Sequence, residues 1–95
     1  MNYKGKRWKL LRERCLKRYD YKCHECLRYG RTSSGTVAHH IYPASLYPEL
    51  EYDVNNLVAL CEKCHDKMHD RHNDELTEAG KKLQVRFQHK IFLKK

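Results

Sequence analysis

A chain of 95 residues, 40% hydrophobic and 34% charged with a mean hydropathy of −0.96, is one small domain whose apolar core is thin. No stretch approaches the ~20 apolar residues of a membrane span. The four basic residues of Met1–Leu10 have no apolar run behind them, which is not the pattern of a secretory signal. The expected setting is therefore cytoplasmic, with no membrane partner.

Net charge is +8, with five Cys and seven His. Residues 1–22 carry nine Lys/Arg against two acids, residues 23–79 carry five against ten, and residues 80–95 carry six and no acid. Two basic arms around an acidic middle point to a polyanionic partner, whereas solvated helix faces are the plainer reading of the same charges.

In chain order, Trp8, Leu11, Cys15 and Tyr19 recur at helical spacing and predict a helix from about Gly5 to Tyr19. Cys23-His24-Glu25-Cys26 starts a knuckle that runs into the polar turn Tyr29–Gly35. Thr36–Ile41 is short and β-branched at both ends, a strand. Two X-Pro steps, at Pro43 and Pro48, make Tyr42–Asp53 an irregular loop. Asn55–Leu60 leads into Cys61, and Glu62–Arg71 reads as a helix. A last helix is expected over Thr77–Ile91, with Leu83, Phe87 and Ile91 inward.

Cys23-x2-Cys26 and Cys61-x2-Cys64 have the spacing that brings both sulfurs of a pair to one tetrahedral ion. A disulfide framework competes, but disulfides rarely persist in a reducing compartment. A structural zinc held by the four thiolates is the expectation, with a three-cysteine, one-histidine site using His65 or His24 as the variant. Such an ion contributes on the order of 10 kcal/mol to folding, which a core this small lacks. Cys15, on the apolar stripe, reads as a buried and inert thiol.

His39-His40 lies between the cysteine pairs, and His65 and His69 follow the second. On a helix, positions 65 and 69 share a face, so a second ion is expected there, on a different side from the thiolates. On a strand, His39 and His40 point to opposite faces, so one can ligate that ion while its neighbour is free to act as a base near neutral pH.

These residues resemble a known family. Cys23-x2-Cys26, Ala38-His39-His40-Ile41-x-Pro43, Asn56-Leu57-x2-Leu60-Cys61-x2-Cys64-His65 and His69 are similar to the four-cysteine HNH endonucleases of bacteriophages and bacteria. The resemblance implies an α+β, zinc-stabilised ββα-metal core with flanking N- and C-terminal helices. The organisation it implies is a single domain over 1–95: a basic helix in 1–22, the knuckles and metal core in 23–71, and a basic helix in 72–95.

By the same resemblance His39, His65 and His69 hold a catalytic divalent ion (Mg²⁺, Mn²⁺, Ni²⁺ or Zn²⁺). His40 is then the general base, and Asn56 ties down the loop between the strands. The implied activity is hydrolysis of DNA, by nicking or double-strand cutting, to 5′-phosphate and 3′-hydroxyl ends. Phosphate contacts are expected from Lys4, Arg7, Arg14 and Arg18 in the first arm and Lys81, Lys82, Arg86 and Lys90 in the second. Phage relatives further imply terminase subunits as partners and the host cytoplasm as location. The rival reading is a non-catalytic zinc module that binds nucleic acid, which leaves the histidines and Asn56 without a task. A colicin-like toxin domain is a second rival, disfavoured by the paired cysteines.

Overall fold

The computed structural model describes residues 2–70 and 75–92. Within them the chain forms α1 (Lys6–Arg18), α2 (His24–Arg28), β1 (Val37–His40), β2 (Leu57–Leu60), α3 (Glu62–Asp66), β3 (His69–Asp70), β4 (Glu75–Leu76) and α4 (Glu78–Phe92). Single 3₁₀ turns at Pro48–Leu50 and Val54–Asn56 shape the loop between β1 and β2. This is the α+β fold expected, with two small antiparallel sheets. Among the described residues, no helix is long and apolar enough to cross a membrane.

The hairpin of β1 and β2 is the frame. Its register pairs Val37 with Leu60, Ala38 with Ala59, His39 with Val58 and His40 with Leu57. Facing residues of an antiparallel pair share a side, so the hairpin divides by alternation. Ala38 and Leu57 pack with Trp8 and Cys15 beneath α1. Val58 and Leu60 face a larger core of Ile41, Met68, Leu83, Phe87, Ile91 and the knuckle cysteines. The dipeptide His39-His40 therefore divides between the two cores.

α1 follows the expected stripe, with Trp8, Cys15 and the unanticipated Leu16 buried. It ends in a left-handed turn, with φ of 56° at both Asp20 and Tyr21, that delivers the chain to Cys23. Close approach then needs Gly35, where an added Cβ would lie 2.7 Å from the Lys22 carbonyl. α4 agrees with the expected helix to within a residue, and Leu83, Phe87 and Ile91 are its buried side.

The helix expected over Glu62–Arg71 is corrected. It ends at Asp66, and the chain turns through Lys67 and Met68 into β3, which pairs His69 with Leu76 and Asp70 with Glu75. The cause is tertiary. Thr77 donates its backbone N–H to Met68 O at 3.1 Å and its hydroxyl to Lys67 O, drawing the segment onto the start of α4. A five-residue helix has too little intrinsic stability to resist. Arg71, residues 72–74 and residues 93–95, which the expected helix and arm include, lie outside the described residues.

Candidate functional site

The four cysteines converge. Cys23 and Cys61 are the N-caps of α2 and α3, and each sulfur accepts the backbone N–H three residues on, at 3.5 and 3.4 Å. That places Cys26 and Cys64 on the first turn of each helix, beside the capping sulfur. Cys26 Sγ lies 3.9 Å from Cys61 Sγ and 3.8 Å from Cys64 Sγ. A tetrahedral zinc with Zn–S bonds of about 2.3 Å has sulfur–sulfur edges of about 3.8 Å, so the thiols fit the ion. Backbone and thiol hydrogen bonds overcome burial to bring the Cys61 pKa down to about 7. Burial and its sulfur neighbours push Cys64 up. His24 does not join the sulfurs; it packs edge-on between Tyr19 and Phe87. Cys15 is fully buried, and burial lifts its pKa to about 12, as an inert thiol requires.

The second cluster is all imidazole. His39 from β1, His65 from α3 and His69 from β3 each offer a ring nitrogen, and the three nitrogens lie within 4.8 Å of one another. Ring centroids are 5.2, 5.2 and 5.0 Å apart for the pairs 39–65, 39–69 and 65–69, every pair edge to face. His65 and His69 do not meet on one helical face, as their spacing suggests; they meet because the chain folds back through β3. His39 is almost wholly buried, and its Nε2 has no hydrogen-bond partner. Buried polar nitrogens are rarely left unpaired, and the His39 ring meets two other imidazoles, so the residues fit a divalent cation. Burial, then the nearby His65 and His69, lowers the His39 pKa to about 3. Burial also lowers that of His65. Both rings are thus held neutral, the form that ligates.

His40 points away from the cluster, as alternation requires. Its Nε2 lies 2.9 Å from Glu51 O. A carbonyl only accepts, so Nε2 carries the proton and Nδ1 keeps a free lone pair. Burial brings the His40 pKa below the usual imidazole value, opposed by the bond to Glu51.

Asn56 is fully buried on the loop that supplies this carbonyl. Its Oδ1 accepts from Tyr42 N–H at 2.8 Å, and its Nδ2 donates to Tyr42 O at 2.9 Å and Leu50 O at 3.2 Å. The loop is thereby stapled at both ends.

All four histidines open on one cleft of about 1120 Å³, with Arg12 and Lys81 also on its walls. The remaining predicted contact residues are elsewhere. The Arg7 guanidinium lies 3.8 Å from the centre of the Tyr52 ring, Arg18 donates to Asn55 Oδ1 at 2.9 Å, and Arg86 pairs with Glu25 at 2.8 Å. Lys90 is exposed, and desolvation along its stem, then the nearby Arg18, lowers its pKa. Lys4, Arg14 and Lys82 are exposed. Arg12 escaped the sequence reading, although it stands one helical turn after Trp8 and its Nη2 donates to Thr36 O at 2.8 Å. Glu51 acts through its backbone, for which a sequence carries no signal.

The sequence model of the HNH endonuclease family matches residues 23–71, which contain both clusters. Among solved structures, the chain is similar to the HNH endonuclease of the deep-sea thermophilic bacteriophage GVE2, crystallised with manganese ion. The two are 28% identical with a TM-score of 0.64, over 67% of this chain and 70% of that one. No curated protein matches this chain.

Proposed function

This chain belongs to the HNH endonuclease family, and from that premise we propose that it hydrolyses phosphodiester bonds of DNA, leaving 5′-phosphate and 3′-hydroxyl ends. The observation that carries the reading is the meeting of His39, His65 and His69 on one side of β1 while His40 faces the same cleft from the other. A zinc-stabilised binding module has no use for that arrangement.

His39, His65 and His69 hold the catalytic divalent cation (Mg²⁺, Mn²⁺, Ni²⁺ or Zn²⁺), and Cys23, Cys26, Cys61 and Cys64 hold a structural zinc. When bound, the catalytic cation supplies positive charge where negative charge builds on the phosphate in the transition state. His40 is the general base: Glu51 O fixes its tautomer, and Nδ1 takes a proton from the attacking water as the bond to the 3′ oxygen breaks. Asn56 holds the loop that keeps Glu51 O in place. Arg12 and Lys81 meet the strand inside the cleft, and the cations of α1 and α4 meet phosphates beyond it.

The bacteriophage source of the solved relative supports a phage setting for this reading, in the host cytoplasm and with terminase subunits as the partners to test by co-purification.

The deciding assay is relaxation of supercoiled plasmid with Mn²⁺, Ni²⁺ or Mg²⁺. The parental chain nicks in at least one ion. His40→Ala retains both ions and the fold but loses cleavage by a hundredfold or more, within the range for a general base. Parental cleavage by His40→Ala would falsify the assignment.

A further inference from the structure

Trp8 stands outside the matched segment but against its centre. Its indole is stacked on the His40 imidazole, with ring centroids 5.3 Å apart and planes inclined by 22°. Tyr3 meets the same indole edge-on at 5.3 Å. Trp8 itself is buried.

His40 otherwise has one anchor, the bond from Nε2 to Glu51 O. A single hydrogen bond fixes one atom of the ring and leaves the plane free to rock about it. A flat partner stacked against the ring removes that rocking. The two constraints together set the direction of Nδ1, which the carbonyl alone cannot do. One residue earlier, Arg7 lies over Tyr52, the neighbour of Glu51. The same turn of α1 therefore touches both the base and the segment that orients it.

We propose that Trp8 is a positioning residue for His40, which makes α1 part of the catalytic apparatus as well as a basic arm. The proposal rests on His40 being the base. The competing role for Trp8 is packing alone, since it shares a cluster with Cys15, Ala38 and Leu57. A core residue lowers stability when truncated; a positioning residue lowers turnover beyond that.

The test uses the full chain with Mn²⁺ and a plasmid substrate, comparing Trp8→Leu, Trp8→Phe and Cys15→Ala. Trp8→Leu is expected to lose roughly tenfold to hundredfold in kcat, with KM and the number of bound ions unchanged. Trp8→Phe, which restores a stacking plane, recovers most of the loss. Cys15→Ala, cut from the same cluster, melts at a lower temperature but turns over at the parental rate. In proton NMR the His40 ring resonances lose their upfield ring-current shift in Trp8→Leu and keep part of it in Trp8→Phe. If Trp8→Leu does not fold, Trp8→Met keeps apolar bulk without an aromatic plane and serves instead.

Parental kcat in the Leu or Met variant overturns the inference, as does an equal loss in Cys15→Ala. Should His40→Ala be inactive while Trp8→Leu is fully active, only the role of Trp8 fails. Parental cleavage by His40→Ala removes the base and this inference together.

Discussion

Asn56 commits its side-chain amide to two backbone segments, at Tyr42 and at Leu50. Asn56→Ala strands the Tyr42 N–H and the Tyr42 carbonyl in the interior, while the Leu50 carbonyl keeps the Asp53 N–H. Each buried unpaired group costs about 1–3 kcal/mol, so destabilisation of about 2 kcal/mol or more is expected from urea unfolding. Cleavage falls with it, because the Glu51 carbonyl sits on the same loop. His39 makes a second prediction at this scale. Its pKa is about 3 folded against 6.5 for a free imidazole, so the unfolded chain binds its proton more tightly. The folded state thus has its full advantage above pH 6.5 and loses it as the pH falls from 6.5 towards 3, by an amount on the order of several kcal/mol. With no divalent cation added, thermal melting of the parental chain should decline more steeply between pH 7 and 4 than that of His39→Leu. Parallel curves would mean that His39 is not buried as a neutral ring.

Between elements, the instructive position is Gly80. In most helix interiors a change from Gly to Ala gains about 1 kcal/mol. Here an added Cβ would stand 2.7 Å from Met68 O and 3.0 Å from Leu76 Cδ2, so the sign reverses. Gly80→Ala pushes α4 off the turn that delivers His69. Expected are a lower melting temperature and weaker Mn²⁺ binding by calorimetry, with metal binding at the four cysteines unchanged. The same contacts show where sequence reading stops. The opposite facing of His39 and His40 was legible because strand alternation is local, and the cysteine knuckles because their spacing is. The end of α3 at Asp66 was not, since it depends on Thr77, which meets Lys67 only after a chain reversal. Spacing of four put His65 and His69 together for the wrong geometric reason.

Across the whole molecule, the basic arms divide by what their cations already touch. Arg86 answers the buried Glu25 across 61 residues of sequence, and Arg18 holds Asn55. No local pattern distinguishes these from Lys81, which lines the cleft. DNA affinity should nevertheless fall steeply with salt, since each phosphate neutralised adds about 0.9 to the slope of log K against log[salt]. Lys81→Ala is expected to reduce that slope by about one unit, whereas Arg86→Ala leaves the buried Glu25 with Arg28 alone, at 3.4 Å, and lowers thermal stability. Fluorescence anisotropy over a salt series, with melting curves alongside, checks both.

Cys64 and His65 are consecutive residues of α3, so a sulfur of one cluster and a nitrogen of the other hang from the same peptide bond. A metal held by the four sulfurs would clamp the start of α3, and its loss would free that short helix to shift. The imidazole that shares that helix is then carried out of register. Chelation at the sulfurs is therefore expected to weaken Mn²⁺ binding at the imidazoles, read by calorimetry, without touching a single histidine.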